Sequence, residues 1–159
     1  VIVIAPSSTS TLASVEVDEG AITITGGELR GGVFDLNPIP DALPALAVAA
    51  CFAEGETRLV NVPQARLKET DRITVMREEL SKMGADIEEL PDGLIVRGSR
   101  LKGTRVNGRG DHRAVMALTV AGMRAEGKTV IETAESAAVT FPDFARLMGS
   151  IGADITSQE

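Results

Sequence analysis

The amino-acid sequence predicts an α/β fold made of two copies of one unit, with alanine-rich helices buried and short strands forming sheet outside them. Two observations carry this. First, the chain repeats itself: ALAVAACFAEGET at 45–57 and ALTVAGMRAEGKT at 117–129 are identical at eight of 13 positions, 72 residues apart. MGADI at 83–87 returns as IGADI at 151–155, 68 residues apart, and EGAITITGGELRGG at 19–32 resembles DGLIVRGSRLKGT at 92–104. Second, strand-like alternation and helix-like periodicity follow one another in the same order in both copies. The chain therefore reads as one partial domain over 1–159, with a first repeat of about 14–90 and a second of about 91–159.

In the first copy, alternating strands are expected at 14–17, 21–25 and 33–36, parted by glycine-rich turns such as TGGELRGG. A helix over 42–54 is apolar nearly all round, which marks it as buried, and Gly55 ends it. A strand at 57–61 follows. A second helix over 70–83 carries Ile73, Met76, Leu80 and Met83 on one stripe, and Gly84 closes it before a strand at 86–90. The second copy gives a buried helix at 114–126, a strand at 129–132 and a helix at 142–150. Thr140 to Asp143, with Pro142 in the first turn, is the start signal of that last helix.

Composition narrows the function. The chain is 43% apolar and 25% charged, as a globular protein is, but it has no Trp or Tyr and only four Phe, so aliphatic side chains must fill its core. A net charge of −7 argues against a nucleic-acid or membrane-surface partner, which would need a basic face. Small anions need only a local positive pocket. The one cysteine, Cys51, lies in an apolar run and reads as a core residue of a protein in a reducing, cytoplasmic compartment. The longest uncharged apolar run, 42–53, would make a helix of about 18 Å, too short to span a bilayer. No signal peptide is read. The opening VIVIAP reads as a strand already in progress, and no initiating Met precedes it, so a piece of a larger protein is expected.

The repeat then acts as an internal control. LKETDRI at 67–73 packs Lys68, Glu69, Asp71 and Arg72 at a helix start. Glu69 lies four before Ile73 and seven before Met76, so it is expected to extend the apolar stripe and point to the core or a cleft. At an offset of 68, the positions of Lys68, Glu69 and Arg72 become Ser136, Ala137 and Thr140, so the architecture does not require the charges. Asp41 and Asp111 both precede a buried helix, where Asp is a common N-cap. Pro44 has no N–H to donate, which leaves more of Asp41 free than of Asp111. His112 and Arg113 have no charged counterparts in Ala42 and Leu43, and an Arg beside a helix N-terminus opposes the dipole unless an anion or acidic group is near. Three helix starts thus carry the unusual polar groups. Should they converge, they would make a pocket for a phosphate- or carboxylate-bearing ligand with acid–base chemistry on it.

RLKETDRI, FDLNPIPDA, GDHRAVMAL and VTFPDF, in this order, resemble the C-terminal part of the 5-enolpyruvylshikimate-3-phosphate synthase family, the 3-phosphoshikimate 1-carboxyvinyltransferases. The resemblance runs over nearly the whole chain. It implies βαβαββ-type units with parallel helices inside and sheets outside, an inside-out α/β barrel, with three units in each of two domains. Two units of one domain are matched here. It also implies that the 5-hydroxyl of shikimate 3-phosphate attacks C2 of phosphoenolpyruvate while C3 gains a proton, and that phosphate leaves as C3 loses one. By this resemblance Asp41 accepts the hydroxyl proton and Glu69 exchanges the proton at C3. Lys68, Gln64 and His112 fall among the substrate-binding groups, and Arg72 and Arg113 hold the anionic groups of phosphoenolpyruvate. No metal or organic cofactor is implied. The partners implied are the two substrates and the N-terminal part of the same protein, whose Lys, Ser, Arg and Gln contacts this chain lacks. Two departures stand out: Val139 where many members have Lys, and Gln64 where some have Asn.

Three other readings compete. A UDP-N-acetylglucosamine enolpyruvyl transferase lacks the KETDR pattern and needs a nucleophilic Cys, for which buried Cys51 is a poor substitute. An RNA 3'-phosphate cyclase-like protein would want a basic groove. A non-catalytic module would use the charges only to cap helices.

Overall fold

The structure, a computed structural model, describes residues 2–5 and 14–156. The chain opens with a three-stranded sheet of β1 (Ile2–Ala5), β2 (Ser14–Asp18) and β3 (Ala21–Thr25), in the order β1-β3-β2. Then β4 (Val33–Asp35) leads through α1 (Leu43–Cys51) to β5 (Glu56–Val60). β4 and β5 are parallel neighbours, with Phe34 beside Leu59, so their connection must cross over, and α1 is that crossover. From β5 the chain runs through α2 (Arg72–Lys82) into the hairpin of β6 (Asp86–Leu90) and β7 (Gly93–Arg97). β7 returns antiparallel to β5, which sets the sheet order β4-β5-β7-β6. This sheet gathers 33–97 and so crosses the boundary expected at 90/91.

The second crossover repeats the first. β8 (Arg105–Asn107), α3 (His112–Arg124) and β9 (Val130–Glu132) form another parallel pair joined through a helix, and α4 (Phe144–Ser150) follows. Arg30 bridges Glu54 and Lys102 bridges Glu126, again 72 residues on. Gly55 and Gly127, both left-handed, follow α1 and α3, at φ 85 and 88°. The expected mixed α/β character is present, and the parallel crossover occurs twice.

Helices α1, α2 and α3 pack on one another, with β5 and β7 against α1 and β6 against α2. Alternation along β5 turns Thr57 and Leu59 inward and Glu56 and Arg58 outward. The core is aliphatic, as the composition requires: Leu43, Leu59, Ile73, Met76, Leu80, Leu94 and Leu118 are fully buried. Cys51 is buried with them, its thiol donating to the Ala47 carbonyl and pushed up to about 12 by burial. Among the described residues, no helix is long and apolar enough to cross a membrane.

Helix starts differ from expectation: α1 begins one residue later and α3 two earlier than expected, and α2 and α4 two later. α2 begins at Arg72 rather than Thr70, because the Asp71 carboxylate accepts from the Thr74 N–H and caps it there. Lys68 and Glu69 therefore lie in the connection before the helix, and Glu69 does not extend the buried stripe. Arg72 does. α4 begins at Phe144, with Asp143 at the cap position and its carboxylate drawn to Arg146 instead of the backbone.

These starts also correct the alignment of the copies. The caps Asp71 and Asp143 stand 72 apart, as do the left-handed Asn61 and Thr133 at φ 58 and 60°. The spacing drops to 68 only at Gly84 and Gly152, because α2 has 11 residues and α4 has 7, one turn fewer. The counterparts of Lys68, Glu69 and Arg72 are thus Thr140, Phe141 and Phe144, not Ser136, Ala137 and Thr140. They are still uncharged, so the inference from the repeat holds for these three; at α3 the same register sets His112 against Pro40 and Arg113 against Asp41, not Ala42 and Leu43, so Arg113 does have a charged counterpart.

A glycine pair tests the packing. A Cβ on Gly31 would run into the Glu56 carbonyl, whereas one on Gly149 would meet open space in α4. Gly31→Ala should cost about 2–3 kcal/mol in denaturant unfolding. Gly149→Ala should add about 0.5–1 kcal/mol, since Ala restricts the unfolded chain and favours helix.

Candidate active site

Asp41 sits in a 3-10 turn, Pro40–Ala42, ahead of α1, and makes no side-chain cap. Its carboxylate points instead across the ends of α2 and α3. Oδ1 accepts from Arg72 Nη1 at 2.8 Å and meets Lys68 Nζ at 3.2 Å, and Oδ2 lies 3.4 Å from Arg113 Nη2. All three helix starts singled out in the sequence therefore converge. The helices run parallel from this end, since α1 and α3 finish beside one cavity of about 700 Å³ and Met83, just past α2, bonds Lys102 next to it. None of the expected site residues lines that far cavity.

Arg72 is the hub. Its side chain is 1% exposed, and each of its three nitrogens is engaged. Nε donates to Asp111 Oδ2 at 2.7 Å, and Nη2 to Asp111 Oδ1 at 3.2 Å and Glu69 Oε2 at 2.6 Å. Asp111 is fully buried and collects further donors: the N–H groups of Arg113 and Ala114, and the Thr70 hydroxyl at 3.1 Å. Burial alone would raise the Asp111 carboxyl, but Arg72 and the two backbone donors outweigh it and hold it below the usual range. Burial likewise opposes the charge on Arg72, and Asp111, Glu69 and Asp41 more than restore it. At Asp41 burial again works upward, and Lys68, Arg113 and Arg72 win.

Glu69 is as open as Asp41, 46% against 45% exposed. Beside its bond to Arg72, its Oε1 stands 3.6 Å from Nδ1 of buried His112, the first residue of α3. The connection that carries Lys68 and Glu69 is fixed from behind by Arg66, which donates to Asp71, to the Leu90 carbonyl and to the Pro91 carbonyl at 2.7–2.8 Å. The cluster thus holds three cations, three carboxylates and an imidazole where three helix N-termini meet, a setting that favours anions.

Six of the seven residues expected in the site meet here: Asp41, Lys68, Glu69, Arg72, His112 and Arg113. Gln64 does not join them; its amide donates to the carbonyl and side chain of Asn37, both at 3.3 Å. Val139 ends a 3-10 turn, 75% exposed, at the position of Leu67 in the first copy, itself 86% exposed. Sequence reading expected Asp111 only as a cap. An arginine on an apolar helix stripe needs a buried carboxylate, and that requirement points to Asp111; Thr70 left no such signal.

The fold is similar to that of solved EPSP synthase and enolpyruvyl transferase structures. An EPSP synthase of Acinetobacter baumannii superposes with a TM-score of 0.82 at 34% identity, over 92% of this chain and 37% of that one. The enolpyruvyl transferase NikO of Streptomyces tendae shares the fold, with a TM-score of 0.73 at 22% identity over 91% of this chain and 33% of that one. The chain belongs to the EPSP synthase (3-phosphoshikimate 1-carboxyvinyltransferase) family, whose model matches residues 7–148. It is 61% identical to the 3-phosphoshikimate 1-carboxyvinyltransferase of Acetivibrio thermocellus over 92% of its own length, and 60% identical to that of Ruminiclostridium cellulolyticum over 90%. It spans about 35% of the length of these relatives.

Breaking the hub should be costly in a specific way. Arg72→Met leaves Asp111 buried without its counter-charge and should lower unfolding stability by about 3–5 kcal/mol. Adding Asp111→Leu to that variant should recover part of the loss, since no unpaired charge remains, though the α3 cap is gone. In acid, Asp41 and Asp111 stabilise the fold fully above their unfolded value of 3.8 and lose that contribution as pH falls through their lower folded values. The thermal midpoint should stay level from pH 7 to about 5 and fall below about 4, and Asp111→Asn should blunt the fall.

Proposed function

We propose that this chain is part of an enzyme that moves the enolpyruvyl group of phosphoenolpyruvate to the 5-hydroxyl of shikimate 3-phosphate, releasing phosphate, on the route to chorismate and the aromatic amino acids. The observation that supports this most is the convergence of Lys68, Arg72 and Arg113 on Asp41 from three separate helix starts, in a family that carries that name. The chain is read as a partial domain of two βαβαββ-type units in an inside-out α/β barrel, working in the cytoplasm with its N-terminal remainder.

In this reading Asp41 takes the proton of the attacking hydroxyl as the new C–O bond forms at C2. A carboxylate held ionised by three cations keeps that form at neutral pH. Glu69 gives a proton to C3 in the same addition and takes one back as the C–O bond to phosphate breaks. Its half-open position lets it reach a ligand above the cluster while Arg72 holds its other oxygen. Lys68 contacts shikimate 3-phosphate, and Arg72 and Arg113 bind the anionic groups of phosphoenolpyruvate, for which guanidinium forks are suited. His112 steadies Glu69, while Gln64, bonded to Asn37, stands outside this set.

The 159-residue chain alone should show no turnover of phosphoenolpyruvate with shikimate 3-phosphate. Joined to its N-terminal remainder it should turn over, and not with UDP-N-acetylglucosamine. In that longer protein Glu69→Gln and Asp41→Asn should each lower kcat by about 10²–10⁴, the range of general acid–base catalysis. Full activity in Glu69→Gln would leave the charges only a capping role.

A further inference from the structure

One buried carboxylate has no part in the chemistry above. Glu79 lies in the middle of α2, fully buried, seven residues after Arg72 and therefore on the same helix face, about 10 Å along the axis. Its partners all come from its own helix or from the segment 107–111. Lys82 reaches both of its oxygens at 2.6 and 2.8 Å, Oε2 accepts the N–H of Asn107 at 3.0 Å, and Arg109 Nη2 approaches Oε1 at 3.5 Å. Arg109 is also paired with Glu78 on the next helix position.

The segment 107–111 is the strap that delivers Asp111, His112 and Arg113 to the cluster. It needs holding, because Arg109 and Gly110 are both left-handed, at φ 52 and 78°. For a residue with a Cβ this conformation is unfavourable, and it persists only where the surroundings dictate it. Every N–H in the strap has a partner: Glu79 for Asn107, the Glu132 carbonyl for Gly108, the Asn107 side chain for Arg109, Thr133 for Gly110 and the Gly108 carbonyl for Asp111. Among these, only the Glu79 bond comes from α2, the helix that begins with Arg72.

We propose that Glu79 is a positioning residue: together with Arg72 it ties α2 to both ends of the 107–111 strap and so fixes where Asp111, His112 and Arg113 stand. Arg72 grips Asp111 at one end, and Glu79 grips the Asn107 N–H at the other. This takes the start of α3 as one arm of the active site and so rests on the function proposed above.

His112 is the sole histidine of the sequence, so its Cε1–H gives one nuclear magnetic resonance signal that reports on the strap. In the 159-residue chain, Glu79→Gln should move that signal and speed hydrogen exchange at residues 107–111 by about tenfold or more, as loss of a hydrogen bond to a charged group requires. Amides of β5 and β7 should keep their rates. A lower thermal midpoint with the His112 signal and strap exchange unchanged would overturn the proposal, because Glu79 would then serve stability alone. Should Glu79→Gln fail to fold, Glu79→Asp keeps the charge but withdraws it from Asn107, and the same two outcomes decide. Strap amides that exchange at unstructured rates in the unaltered chain would also overturn it. None of these readouts measures turnover, so a failed transfer assay with a moved His112 signal would fell the function and leave the strap's anchor standing.

Discussion

The pair of Arg72 and Asp111 is the joint on which the rest turns. Each is buried, and each comes from a different helix start. Two charges taken out of water stabilise a fold little by themselves, since their desolvation costs nearly what their attraction returns. What the pair supplies is placement. The guanidinium meets the carboxylate with two nitrogens, a geometry that leaves few alternatives, and the same carboxylate is locked to the first N–H groups of α3. Moving α2 against α3 would therefore break several charged hydrogen bonds at once. Glu69, Asp41, Lys68 and Arg113 then arrange themselves about a fixed point.

Much of this was legible in the sequence. The repeat announced the two crossovers, and aliphatic runs located the buried helices within three residues at either end. The residue types at the helix starts gave six of the seven cluster members, because charged groups dispensable to one copy stand out against the other. What remained hidden was three-dimensional. Nothing local told Glu69 from Arg72 as the member of the buried stripe; the cap at Asp71 decides it, by starting the helix two residues later than periodicity alone suggests. Gln64 was named by the resemblance alone, and its amide bonds Asn37 instead of the cluster. The frame of the repeat was also blurred, because a sheet is closed by pairing and not by sequence order, and β7 pairs back across the apparent boundary.

The two copies also record how such a unit tolerates change. A whole helical turn is missing from α4 relative to α2, yet the aspartate before it and the left-handed glycine after it are both kept. Loss of four residues, close to one turn, leaves the exit of the helix facing nearly the same way. The copies differ instead where α2 carries Arg72 and Glu79. A helix whose buried stripe must include two ionised groups needs enough length to hold them two turns apart, and only the first copy has it.

The full engagement of Arg72 has a consequence for how a ligand would enter. No nitrogen of that side chain is idle, and the strap behind it offers no free backbone N–H. An arriving anion finds Lys68 and Arg113 part-exposed, but at Arg72 only one N–H, on Nη1, is left over from the four already bonded. To engage Arg72 with two oxygens it must trade places with Asp41 or Glu69, in the manner of an ion-exchange resin giving up one counter-ion for another. Such a swap makes net affinity the small difference between two strong attractions. The same swap sets the displaced carboxylate free at the moment the ligand settles.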